Sequence, residues 1–95
     1  MRLTKSEVSS IVKNIKGLDS EAKIYLYGSR ADDNKKGGDI DLLVVSEKLE
    51  FPDQVTILAH IKSEIGEQKI DLVIKKSSEM ADPFVKRIMK QALLL

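Results

Sequence analysis

The sequence predicts a small α/β (α+β) sandwich, a short mixed sheet of three to four strands with helices packed against it. Two segments, roughly residues 4–16 and 52–65, repeat apolar residues at helical spacing. Three short segments, 23–27, 39–45 and 69–74, are rich in β-branched, aromatic or aliphatic residues and read as strands. Helical and strand patterns alternate along the chain, and 95 residues leave room for four strands at most.

Thr4 and Glu7 have the spacing of a capping box, in which each side chain satisfies an orphan amide at a helix start. Val8, Ile11, Val12 and Ile15 then follow one helix face, and Gly17 supplies the stop. Lys23–Tyr27 is the first strand, broken by Gly28-Ser29 into a helical turn. Residues 32–38 form a polar loop closed by glycines. Asp39–Val45 is the second strand, and its end, Leu42 to Val45, is apolar on both faces. Such a strand belongs in the middle of a sheet, covered on both sides. Pro52 opens the second helix at its first turn, with Val55, Leu58, Ala59, Ile61 and Ile65 as its apolar side and Gly66 at its end. Lys69–Ile74 is the third strand. Asp82-Pro83 caps a last helix, whose stripe is Phe84, Val85, Ile88, Met89, Ala92 and Leu93. The terminal Leu93-Leu94-Leu95 fits core, a final short strand or a partner contact equally well.

These elements make a single domain over residues 1–95, with no internal repeat or linker. Sixteen basic residues balance fifteen acidic ones, for a net charge of +1, which is not the footprint of a protein that coats nucleic acid or a membrane surface. The absence of cysteine excludes disulfides, thiolate metal sites and a cysteine nucleophile. No apolar run exceeds four residues, and the first residues carry no apolar signal core, so a cytoplasmic domain is expected.

The segment Ile24–Val45 carries the chemistry. Gly28-Ser29 follows a strand directly, where a glycine lets the backbone approach a ligand and a helical turn favours phosphate. A plain strand-to-helix turn explains the same pair. Asp39 and Asp41 alternate along a strand, so both carboxylates face one side, their Cα atoms roughly 6–7 Å apart. Two like charges at that distance call for a positive counterpart, and hard oxygen ligands suit Mg²⁺. The bland alternative is a solvated strand end. Asp71 interrupts an apolar strand, which Asp does rarely. If its strand neighbours that of Asp41, three carboxylates converge and could cradle two divalent ions. His60 and the pair Tyr25 and Tyr27 read as a surface residue and as sheet packing.

Together, Gly28-Ser29-Arg30-Ala31, the run Gly38-Asp39-Ile40-Asp41-Leu42-Leu43-Val44 and the lone Asp71 closely resemble the nucleotidyltransferase superfamily of DNA polymerase β. The likeness is nearest to its shortest members, the minimal nucleotidyltransferases (MntA-like antitoxins). The resemblance implies a polymerase-β-like fold and Mg²⁺, with two ions in the site. It implies ATP or another nucleoside triphosphate as substrate. By the same likeness Gly28 and Ser29 hold the triphosphate, Asp39 and Asp41 bind metal, and Asp71 completes the metal site and helps activate the acceptor hydroxyl. Arg30 is the candidate for a further phosphate contact. One departure bears on nucleotide affinity: where relatives have a second arginine and a glycine, this chain has Asp32 and Asp33. Lys35 and Lys36 are the nearby cations that could compensate.

The expected reaction is transfer of AMP from ATP to a hydroxyl. The family resemblance implies a helical HEPN-domain toxin as partner, a tyrosine on it as acceptor, and an antitoxin role in a type VII toxin–antitoxin pair. The chain's size implies that another polypeptide, or a second copy in a homo- or hetero-oligomer, holds the acceptor. Direct nucleic-acid recognition is not expected without an aromatic platform. Two alternatives stand beside this reading: a catalytically weak binding subunit, and a small-molecule nucleotidyltransferase with an intersubunit acceptor site.

Overall fold

The first helix begins as its residues dictate. In the computed structural model, which describes residues 1–95, the Glu7 amide donates to Thr4 Oγ1 at 3.1 Å and the Thr4 amide to Glu7 Oε1 at 2.8 Å. This box starts α1 (Lys5–Lys16), and the Gly17 amide closes it on Lys13 O at 2.9 Å. Then come β1 (Lys23–Tyr27), a 3-10 turn over Gly28–Ala31, β2 (Ile40–Val45), α2 (Phe51–Ile65) and β3 (Ile70–Lys75). A short 3-10 turn (Ser77–Glu79), α3 (Pro83–Met89) and β4 (Leu93–Leu94) complete the chain.

The strands form one mixed sheet in the order β3-β2-β1-β4. The β1–β2 and β1–β4 pairs are antiparallel and the β2–β3 pair is parallel, α2 being its crossover. Alternation splits the strand residues between two faces. Ile24, Leu26, Ile40, Leu42, Val44, Ile70 and Leu72 pack with Ile11 and Ile15 of α1 and with Ile57 and Ile61 of α2. On the other face Leu43 packs with Val85 and Ile88 of α3, and Tyr25, Tyr27 and Val73 border that smaller cluster. Both faces of β2 are therefore covered, as its unbroken apolar run requires.

A polar joint ties α1 to α2. Glu64 accepts from Ser10 Oγ (2.6 Å), Lys13 Nζ (2.7 Å) and Asn14 Nδ2 (2.9 Å). Those three donors hold its carboxyl down at about 2, from an ordinary 4.5.

Three expectations change. The last helix stops at Met89, so Ala92 and Leu93 are not on its stripe. Leu93 and Leu94 instead pair with Leu26 and Tyr25, and the Leu95 amide donates to Ile24 O at 2.9 Å. The open edge of β1 claims these residues, because a free ladder edge offers backbone partners that a further helical turn would not use. On α2, Val55 and Ala59 face outward, and Ile57, Ile61 and the half-buried Leu58 and Ile65 face the sheet. The spacing 57, 61, 65 keeps one side of the helix, from which 55 and 59 lie half a turn away. The second strand begins at Ile40, which leaves Asp39 just outside it.

Candidate active site

Parallel pairing of β2 and β3 sets Asp41 beside Asp71, and antiparallel pairing of β1 and β2 sets Tyr27 on the other side of Asp41. Neighbouring strands run about 4.8 Å apart. Tyr27, Asp41 and Asp71 thus form a row across the sheet, on the face that carries α3. The row stands where β1 ends and where β2 and β3 begin.

Burial raises the Asp41 carboxyl above its ordinary 3.8, and the adjacent charge of Asp71 and a hydrogen bond between the two acids raise it further. Asp39 adds to this, and Lys69 partly opposes it. The Tyr27 phenol is likewise raised by burial, then by Asp41 and Asp71. The row is a concentration of negative charge with little to offset it.

Gly28 closes the site from the β1 side. Its φ is +73°, a left-handed conformation that glycine alone adopts freely. A Cβ there would overlap Asp41 Oδ2 and come 3.2 Å from its Cγ. The missing side chain is what lets the Asp41 carboxylate lie against the backbone there. Gly37 does the same for Ser29, since its Cβ would stand 2.7 Å from Ser29 Oγ.

Two arginines clamp the turn. Arg2 donates to Ser29 O (3.0 Å) and Gly37 O (3.3 Å), and Arg30 donates to Arg2 O and Gly38 O (both 2.9 Å) and to Gln68 Oε1 (3.2 Å). Arg30, the candidate for a phosphate contact, has its terminal nitrogens bound to main-chain and amide oxygens, so that it also braces the Gly28–Gly38 segment. The clamp through Arg2 escapes sequence reading, because Arg2 is remote in sequence from the turn it holds.

Asp39 also departs from expectation. Outside the strand, it is not placed by alternation, and its carboxylate lies 3.5 Å from Lys69 Nζ. No three acidic or histidine side chains converge as a closed metal cage. The residues present still fit a divalent cation. Asp41 and Asp71 offer paired hard oxygens, and the bare backbone of Gly28 lies directly against the Asp41 carboxylate. The Asp39–Lys69 pair is exposed and weak enough to open when a stronger cation competes.

Beside the row, Tyr27, Gly28, Phe84, Arg87, Ile88 and Gln91 line an open cleft of about 350 Å³. Of its lining residues, Phe84 and Ile88 lie on the predicted helical stripe, while Arg87 and Gln91 carry no sequence signal, since nothing in a helical stripe shows which edge faces a site. His60 is exposed on α2, away from all of this.

The profile of the family described as "Polymerase beta, Nucleotidyltransferase" matches residues 9–95. A search of curated proteins finds no match. Among solved structures, a candidate nucleotidyltransferase from Sulfolobus solfataricus aligns with a TM-score of 0.47 and 21% identity, over 99% of this chain and 89% of that one. With the family profile spanning all but the first eight residues, the chain belongs to the polymerase beta nucleotidyltransferase family.

Proposed function

We propose that this chain transfers a nucleoside monophosphate, AMP from ATP, to a hydroxyl on a partner protein. The observation that carries the proposal is the side-by-side placement of Asp41 and Asp71 against the bare backbone of Gly28. Gly28 and Ser29 receive the triphosphate, and Asp41 and Asp71, joined by Asp39 once it leaves Lys69, would hold Mg²⁺. When bound, two ions would neutralise charge on the attacking oxygen and on the pyrophosphate. The acceptor oxygen attacks the α-phosphorus, its O–P bond forms, and the bond to the bridging oxygen of pyrophosphate breaks. The acceptor's proton passes to the Asp71 carboxylate. Positioning and electrostatics do most of this work, as in other phosphoryl transfers.

For the acceptor, the proposal is a tyrosine of a HEPN-domain toxin, with this chain as its antitoxin. The likeness of the Gly28–Ala31 and Gly38–Val44 motifs to minimal nucleotidyltransferases supports it, and so does the exposure of Asp71, which leaves the site accessible to a macromolecule. A second reading, a binding subunit with weak activity, is favoured by the Asp39–Lys69 contact and by the engagement of Arg30.

The test is label transfer from α-labelled ATP with Mg²⁺ in lysate of the source cells, beside Asp41→Asn. A labelled protein that disappears with the variant supports the proposal and identifies the acceptor. A labelled small product points instead to a small-molecule transferase. Neutralisation of the partner by Asp41→Asn without any label favours the binding subunit.

A further inference from the structure

We infer that Arg87, on α3, is the cation that binds the outer phosphates of the nucleotide, replacing the charge that Asp32 and Asp33 remove from the loop. The inference rests on the nucleotidyltransferase reading above and names the residue that serves it.

The cleft beside Gly28 has one cationic lining residue, and it is Arg87. Arg2 and Arg30, the other arginines near the site, brace main-chain carbonyls, and Lys69 faces Asp39. Arg87 makes no ion pair, and none of its guanidinium nitrogens donates a hydrogen bond within the chain. Its neighbour Ile88 is buried against Leu43 and Val85, which fixes the helix and therefore the side from which Arg87 reaches the cleft. Gln91, one turn on, lines the same cleft and also borders Ala31, Asp32, Asp33 and Asn34. A neutral amide there can donate to a phosphate without adding to the acidic charge.

Electrostatics makes such a cation necessary. A triphosphate entering this site meets Asp41 and Asp71 on the sheet, Asp39 just before it, and Asp32 and Asp33 in the loop. A guanidinium free of carboxylate partners, presenting a planar fork of donors, suits phosphate oxygens better than a lysine would.

The experiment is calorimetric binding of ATP, ADP and AMP with Mg²⁺ to the full chain, to Arg87→Ala and to Arg87→Lys. Melting curves run alongside, and they should coincide because the guanidinium has no partner to lose. Loss of a charge-assisted contact should weaken ATP binding by about 10- to 100-fold in Arg87→Ala. AMP affinity should change less than about threefold, and Arg87→Lys should recover part of the ATP loss. Unchanged ATP affinity in Arg87→Ala overturns the inference. So does an equal loss for ATP and AMP, which would mean that the cleft holds the nucleoside. If the parent chain binds none of the four nucleoside triphosphates, the nucleotidyltransferase reading fails, and the inference fails with it.

Discussion

Asp41 and Asp71 are register partners in a parallel pair of strands, so the sheet itself holds two carboxylates side by side. Like charges placed directly across strands destabilise a sheet, by about 0.2–1 kcal/mol. The fold tolerates this cost at the position where the proposed chemistry needs two oxygen ligands.

Asp41→Asn should therefore stabilise the metal-free protein while abolishing transfer. The expected gain is roughly 1–5 °C in Tm, against a loss of at least about 100-fold in activity. The sign follows from the raised carboxyl: its charged form is disfavoured in the fold, so the destabilisation grows as pH rises through that raised value. Below the ordinary 3.8 the two proteins should melt together. Thermal melts across pH, without metal and with Mg²⁺, check this. Mg²⁺ should narrow the gap by stabilising the parent.

Gly28→Ala should be costly where Gly38→Ala is not. Position 28 has positive φ and no space beside Asp41, whereas nothing lies within 4 Å of a Cβ at position 38. The expected cost is about 1–3 kcal/mol at 28 and under about 0.5 kcal/mol at 38. Urea unfolding of both variants, with transfer assayed in parallel, compares them.

Glu64→Gln should flatten the acid limb of the stability profile. The Glu64 carboxyl is held at about 2 by Lys13, Ser10 and Asn14. A depressed carboxylate contributes stability that is present above its unfolded value and lost as pH falls through its folded one. The parent should lose stability between about 4.5 and about 2, and the variant should lose less over that window.

Leu43→Ala removes a fully buried side chain beneath α3. It should destabilise by about 2–4 kcal/mol. Because α3 supplies Phe84 and Arg87 to the cleft, and Gln91 follows directly after it, the variant should also bind nucleotide less tightly at temperatures where it remains folded. Chemical unfolding and nucleotide titration together measure both effects.

Much of the architecture was legible because local chemistry and tertiary context agree. The Thr4–Glu7 box, the strand at 23–27 and the doubly buried run Leu42–Val44 each follow from short-range rules. Asp41 and Asp71 were legible for the opposite reason: each breaks a strand pattern. The rest depends on what lies far away in sequence. Leu93 fits a helical stripe and an edge strand alike, and only the free edge of β1 decides between them. Asp39 was placed by alternation, but the strand starts one residue later. The engagement of Arg30 depends on Arg2, Gly38 and Gln68, and Arg87 is identified only once α3 lies beside Gly28.

The central claim is that the Asp41–Asp71 pair serves transfer at the α-phosphorus. The most direct measurement incubates the purified chain and the HEPN-domain toxin proposed as its partner with Mg²⁺ and ATP labelled at either the α or the γ position. The account predicts label in the acceptor from α-labelled ATP alone, with γ label leaving in pyrophosphate, and no transfer by Asp41→Asn or Asp71→Asn. Transfer of γ label, or α-label transfer that survives both substitutions, would contradict it.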